Sequence, residues 1–373
     1  MKKYILAILL LLASTHIASA AQPIIHVGIL RNVTEATVGS NGLFEVVFSK
    51  SGNIGYYNHP IKIKIKNNSL YVDTKKVISD RVTLRTEDNR VLINGRKYRG
   101  TLEIINNAPK SFAIVEILPL DEYLYGIIKH EISPKWPKEA IKAQVVAART
   151  YALKNFGKHA KDGYDLCNST CCQVYGGLES EDPVSNALVD STTGEILTYQ
   201  AELVSTPYHG FCGGYTEDPR NVWEGLNKIK YLQIKKCTYC KKAPRYYWSA
   251  RFERTKIESI LSSQGISVGK ITNIRINDKS SSGRVKEIRI THKNGKLLLK
   301  ANKFRLTIGP DVIRSAMFKI KKDKDSYVFE GTGWGHGVGM CQEGAKGMAE
   351  KGFNYRQILQ FYYPGTEIKQ WAL

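Results

Sequence analysis

The amino-acid sequence predicts an α+β fold with a β-rich N-terminal part, a buried helix in the middle and a second, mixed lobe. Short apolar runs separated by turn-forming pairs fill residues 23–118, the pattern of consecutive strands and hairpins. At Pro119 the spacing changes, and residues 137–156 carry apolar side chains at helical intervals. Beyond Gly177 strand-like and helix-like stretches are mixed, with no low-complexity linker and no internal repeat. A chain of 373 residues has room for about two ordinary domains, or for one large domain with an appended lobe. Its 42% apolar and 24% charged residues are ordinary for a globular protein and argue against collagen, coiled coil and wholesale disorder.

The chain opens with Met1-Lys2-Lys3, nine apolar residues from Ile5 to Ala13, and Ala18-Ser19-Ala20. A basic start, a short apolar stretch and small residues at cleavage spacing make a secretory signal over residues 1–20. Crossing a bilayer takes about 20 consecutive apolar residues, and no such run follows. The mature chain is therefore expected outside the cytoplasmic membrane, in the periplasm or cell wall, with no transmembrane span. Losing the signal removes Lys2 and Lys3 and leaves 53 − 34 = +19 of the original +21 charge. That surplus attracts polyanionic surfaces; in an exported chain the partner is expected to be cell wall or anionic lipid, not nucleic acid. The plainer alternative is that the lysines only solvate the surface.

Within the β-rich part, Ile61, Ile63 and Ile65 alternate with Lys62, Lys64 and Lys66, the period of a strand with one buried and one solvated face. Runs at 70–72, 91–93, 102–105 and 113–118 read as further strands. Asn67-Asn68 marks a turn, and Asn94-Gly95 between two runs marks a hairpin. In the central helix Ile141, Val145, Ala148 and Ala152 form one face, while Ala143, Val146, Ala147 and Tyr151 line the other, so it is expected to be buried on most sides. Arg149 lies in that apolar sequence. A buried guanidinium must be paired or must meet a ligand, so Arg149 is either a structural ion pair or a site residue. A helix is predicted near residues 255–264 and strands near 271–276 and 285–291.

Glycine then occupies every second position from Gly331 to Gly339, a pattern that fits neither a dinucleotide fingerprint nor a phosphate loop. Read as a strand, it has one face bare for close approach of a ligand or another backbone, and one bearing Trp334 and His336. The readings are a binding groove or a tight sheet crossing. The seven cysteines are odd in number, so at least one is free or metal-bound. Cys167, Cys171 and Cys172 fall within six residues and Cys237 and Cys240 form a C-x-x-C, spacings that suit zinc thiolate chemistry as well as a disulfide framework.

Asp121–Trp136, with Glu131-Ile-Ser-Pro134 inside it, continues through Glu139-Ala-Ile-Lys-Ala-Gln144 to Leu153, and this segment resembles the signature of the stage II sporulation protein D and amidase-enhancer family. Tyr98-Arg99-Gly100, Cys172-Gln-Val-Tyr175, His209-Gly-Phe-Cys-Gly-Gly214, Arg314-Ser-Ala-Met-Phe318 and the glycine track with Cys341-Gln342-Glu-Gly-Ala345 match in order and spacing. The likeness covers roughly residues 95–370, which divides the chain into the signal, a β-rich region 21–94 and a family-like catalytic region 95–373. It implies two connected lobes with a groove for peptidoglycan glycan strands. It further implies lytic transglycosylation of strands that an amidase has stripped of stem peptides. The general acid falls on Glu131, although Glu-Ile-Ser-Pro stands where the family has a Glu-Met-Pro-like motif. Arg149, Tyr151, Tyr175, His209, His336 and Gln342 become the substrate-binding candidates.

One carboxyl suffices for this reaction. Hydrolytic glycosidases usually use two carboxylates, whereas closing the muramyl 6-hydroxyl onto its own anomeric carbon lets one Glu give a proton and take one back. Ile127, Ile128, Ile132 and Trp136 are the side chains expected to raise its pKa. The chemistry requires no cofactor. Some family members carry Cys-x-x-x-His-Cys and bind a structural zinc with an additional upstream histidine; the corresponding ligands here are His159, Cys167, Cys171 and Cys172. Two further classes stay open: a non-catalytic glycan binder that stimulates an N-acetylmuramoyl-L-alanine amidase, and a basic binder of anionic polymer whose binding collapses with salt.

Overall fold

The computed structural model of the protein describes residues 22–108 and 110–371; the expected signal at 1–20 lies outside the described residues. The fold is α+β, with strands dominating the N-terminal part. Two sheets build that part, one of seven strands centred on Ile24–Val33, Ser111–Pro119 and Thr101–Ala108, the other of six including Ile61–Lys66. Alternation explains the burial: Ile61 and Ile63 are fully buried while Lys62 is exposed. The turn at Asn94-Gly95 joins Arg90–Ile93 to Arg96–Arg99 with Ile93 opposite Arg96, both turn residues having positive φ as a two-residue hairpin of this hand requires. Asn67-Asn68 does the same between Ile61–Lys66 and Ser69–Val72. The seven-stranded sheet takes strands from both sides of residue 95.

Helix α1 (Leu120–Glu131) follows directly, with Asp121 and Glu122 in its first turn. It ends at Glu131 because Ile132 turns extended, and Pro134 and Pro137 cannot continue a helix. Helix α2 (Lys138–Lys154) has Pro137, the first residue of the predicted span, as its N-cap and so begins one residue later than expected. Its Ile141, Val145, Ala148 and Ala152 enter the core shared with the N-terminal sheets, and its Ala143, Val146 and Ala147 enter a second core. Helix α2 is thus the common wall of two cores, which is why nearly all of it is buried. Helix α3 (Pro183–Asp190) starts on an Asp182 side-chain cap.

A third core lies between a sheet of Tyr247–Glu253, Ser326–Thr332 and Phe318–Asp323 and a sheet of Ile271–Lys279, Val285–His292 and Gly295–Lys300, packed with α4 (Arg254–Ser263) and α5 (Ala301–Ile308). The chain closes with α6 (Gln342–Ala349) and α7 (Tyr355–Tyr362), both against the second core. Among the described residues no helix is long and apolar enough to cross a membrane.

The glycine track differs from the expected strand. The strand ends at Thr332, and Gly333, Gly335, Gly337 and Gly339 all have φ between 70° and 107°, a region β-strands do not use. The track is an irregular segment pressed against residues 207–213: a Cβ on Gly339 would sit 2.0 Å from the Pro207 carbonyl oxygen. It is therefore a tight backbone crossing, and its glycines face protein, not an open groove.

Candidate active site

The crossing matters because of what it delivers. Tyr208–His209 pairs in parallel with Met340–Cys341, Tyr208 opposite Met340 and His209 opposite Cys341. This brings Tyr208 and Gln342, the first residue of α6, to the C-terminal end of α1, where Glu131 stands half-buried. The Tyr208 hydroxyl donates to Glu131 Oε1 at 3.1 Å and Gln342 Nε2 donates to Oε2 at 3.3 Å. Behind them Gln173 Nε2 donates to the Tyr208 oxygen at 3.1 Å, and Gln342 Nε2 also reaches Gln144 Oε1 on α2 at 3.4 Å. The carboxyl is thus gripped from two distant parts of the chain, each braced by a further glutamine.

Burial raises the Glu131 pKa above its ordinary value, and the hydrogen bonds from Tyr208 and Gln342 only partly oppose this. No second carboxylate is among the groups that perturb it among the described residues. A place in the last turn of α1 adds to the same effect, since the negative end of the helix dipole disfavours a carboxylate. Of the side chains expected to surround it, Ile127, Ile128 and Ile132 are buried and Trp136 is half-buried under the Lys346 ammonium. A half-buried acid with raised pKa and two donors facing its oxygens can give up a proton and then be held as a carboxylate.

The other candidates divide. Gln342 contacts Glu131, and the Tyr151 ring lies 6.5 Å from that of Tyr208, so both belong to this site. His336 acts one step away. Its Nδ1 accepts from the Val338 N–H, and its Nε2–H donates to the Tyr208 carbonyl at 3.0 Å, fixing the backbone of the residue that holds Glu131. Burial, with Arg305 and Arg284 nearby, lowers its pKa to about 3, so it is neutral. His209 is buried behind the site and donates from Nδ1 to the Val338 carbonyl.

Arg149 and Tyr175 are placed inside the protein. The Arg149 guanidinium, 1% exposed, donates to Asp121 at 2.8 Å, to the carbonyls of Glu195 and Val189 at 3.2 Å, and to Thr192. Every branch is spent on α1, α3, the turn after it and the first residue of the strand Glu195–Tyr199, so the ion-pair alternative describes it and the ligand one does not. The buried Tyr175 hydroxyl donates to Glu116 at 3.0 Å. Sequence reasoning missed Tyr208, Gln173 and Gln144, although each lies in or beside a segment that carried the family resemblance.

The expected metal ligands converge. One ligand atom from each of His159, Cys167, Cys171 and Cys172 lies within 4.8 Å of the others. His159 points Nε2 at Cys172 Sγ (3.4 Å) and Cys171 Sγ (3.9 Å), while Nδ1 faces the Asp162 carboxylate at 3.5 Å. A ligating histidine characteristically has one nitrogen on the metal and the other on a carboxylate, so this donor set fits a tetrahedral zinc ion.

The sequence profile of the family described as "Stage II sporulation protein" matches residues 108–199, and a domain of unknown function matches residues 220–339. The chain is 34% identical to an uncharacterized protein of Brachyspira hyodysenteriae, covering 83% of this chain and 82% of that one. It is 31% identical to the stage II sporulation protein D of Bacillus subtilis, covering 69% of this chain and 76% of that protein. The amidase enhancer of the same organism is 30% identical over 84% of this chain, which spans only 50% of that relative's length.

Proposed function

The chain belongs to the stage II sporulation protein D family, and from that premise we propose that it is an exported, wall-active lytic transglycosylase with Glu131 as its general acid and base. Its substrate is peptidoglycan glycan whose stem peptides an amidase has removed. The observation that carries this reading is the single half-buried carboxyl of Glu131, raised in pKa by burial and gripped by Tyr208 and Gln342.

In the first half of the reaction the Glu131 carboxyl gives its proton to the glycosidic oxygen as the bond from that oxygen to the muramyl anomeric carbon breaks. The resulting carboxylate is stabilised by the Tyr208 hydroxyl and the Gln342 amide. In the second half it takes the proton of the muramyl 6-hydroxyl as that oxygen bonds to the anomeric carbon. The product is a 1,6-anhydro end, no water is consumed, and Glu131 is returned protonated. Removal of a stem peptide exposes the lactyl carboxylate of each muramic acid, so stripped glycan is a polyanion, and the chain's surplus of lysine and arginine favours it.

In the same reading His159, Cys167, Cys171 and Cys172 hold a structural zinc that ties the loop after α2 to the edge of the seven-stranded sheet, where Cys167 pairs with Gly28. It stabilises the fold and takes no part in the reaction. The similarity to an amidase enhancer supports a second reading, in which the site binds glycan and stimulates an amidase without cutting. Mass spectrometry of products from purified stripped glycan separates these readings. Anhydromuramyl ends are expected; reducing ends would make the protein a hydrolase; no cleavage together with faster amidase turnover would make it an enhancer.

A further inference from the structure

Four of the seven cysteines are left over from the His159 cluster, and they meet at one point. Cys212, the pair Cys237 and Cys240, and Cys341 come from three separate segments, are 0–1% exposed, and place their sulfurs within 4.8 Å of one another. A zinc–sulfur bond of about 2.3 Å sets tetrahedral sulfurs about 3.8 Å apart. Cys212 and Cys240 are already 3.5 Å apart. The C-x-x-C spacing of Cys237-Thr-Tyr-Cys240 is that of a chelating pair.

The surroundings are arranged for thiolates. The backbone N–H groups of Cys212 and Gly344 both point at Cys341 Sγ, at 3.3 and 3.2 Å. Cys341 is the N-cap of α6, so the positive end of that helix faces its sulfur. The Tyr362 hydroxyl lies 3.3 Å from Cys237 Sγ. Arg284, 2% exposed, donates Nη2 to the Cys212 carbonyl, and its Nε and Nη1 have no hydrogen-bond partner among the described residues. A buried, half-partnered guanidinium beside four neutral thiols is costly. Beside four thiolates and a divalent ion, which together carry a charge of 2 − 4 = −2, it offsets excess negative charge.

We propose that Cys212, Cys237, Cys240 and Cys341 form an all-thiolate site for one zinc ion, distinct from the His159 cluster. Binding releases the four thiol protons and bonds four sulfurs to the metal, with no change of oxidation state. The ion pins the loop carrying Cys237 and Cys240 to the Tyr208–His209 and Met340–Cys341 pairing, one residue from Gln342, which holds Glu131. The site rests on geometry alone and stands or falls independently of the proposed glycan cleavage.

The test uses the full chain, purified without chelator, in three forms: wild type, Cys171→Ser/Cys172→Ser and Cys237→Ser/Cys240→Ser. Elemental analysis should find about one zinc per chain retained in the first double variant, and about one fewer than wild type in the second. Should the second variant fail to fold, cobalt(II) replacing zinc in the Cys171→Ser/Cys172→Ser protein reads the site directly, its absorption spectrum being expected to report tetrahedral all-sulfur ligation. Thiol titration of the wild type, unfolded with chelator present, should return all seven cysteines. A count of 7 − 4 = 3, meaning two disulfides, would overturn the proposal, as would a folded Cys171→Ser/Cys172→Ser protein that binds neither metal, or one in which iron replaces zinc.

Discussion

Tyr208→Phe removes one hydroxyl and, with it, one of the two hydrogen bonds that hold Glu131 as a carboxylate. Burial keeps the Tyr208 phenol far above its ordinary pKa, so in the wild type it is a neutral donor throughout the working range. A hydrogen bond to an ionised group contributes about 1.5–3 kcal/mol, and about 1.4 kcal/mol corresponds to one pKa unit. Because Glu131 is half-buried and its bond from Tyr208 is 3.1 Å long, the lower end applies, about one unit. The sign follows from the charge state: the lost bond favoured the carboxylate, so the variant holds its proton to higher pH. Proton donation requires the acid form, so the alkaline limb of kcat/KM for stripped glycan should move up by about one pH unit. Gln173 loses its phenolic acceptor but retains the Ala148 carbonyl, so the fold should tolerate the change. Gln342→Leu should move the limb the same way by less, its bond being longer and shared with Gln144. An unmoved limb, or one moved to lower pH, would show that Tyr208 does not stabilise the titrating group.

Asp121→Asn leaves the Arg149 charge buried without its partner and should cost about 3–5 kcal/mol in denaturant unfolding; Arg149→Lys should destabilise as well, with glycan affinity unchanged in whatever fraction stays folded. Glu116 is fully buried and its pKa is raised by burial to about 8, so the stability it contributes is complete below pH 4.5 and is lost as pH rises toward 8; Glu116→Gln should flatten that fall, on the order of 4 kcal/mol, in melts taken from pH 5 to 9. Chelating the His159 cluster should lower the melting temperature of the Cys237→Ser/Cys240→Ser protein, and an unchanged temperature with no bound metal would remove zinc from that cluster.

Strands and turns were legible where local chemistry decides them. Ile-Lys alternation at 61–66 and Asn-Gly at 94–95 gave the right elements because side-chain period and positive-φ preference act within a few residues. The two-faced apolar pattern of α2 announced a helix between two cores. The glycine track was legible as a close crossing but not as to its backbone geometry, because spacing records which residues lack a side chain and says nothing of φ, and its four positive φ values take it out of a strand. A motif singles out Glu131, yet its partners Tyr208 and Gln342 lie 77 and 211 residues away, and only the parallel pairing of Tyr208–His209 with Met340–Cys341 brings them together. Arg149 was rightly read as buried, but which partner a buried charge meets is a tertiary fact. Cys341 likewise joins Cys237 and Cys240 only through the fold.

The central claim is that Glu131 moves the proton. Glu131→Gln keeps the side chain's volume and its reach to Tyr208 and Gln342 but has no acidic proton to give. The direct measurement is the rate at which anhydromuramyl ends appear from stripped glycan, wild type against Glu131→Gln, with glycan binding followed in parallel to show that the variant is folded. Loss of general acid and base assistance should slow cleavage by about 10²–10⁴-fold while binding persists. Cleavage by Glu131→Gln at the wild-type rate would contradict the account.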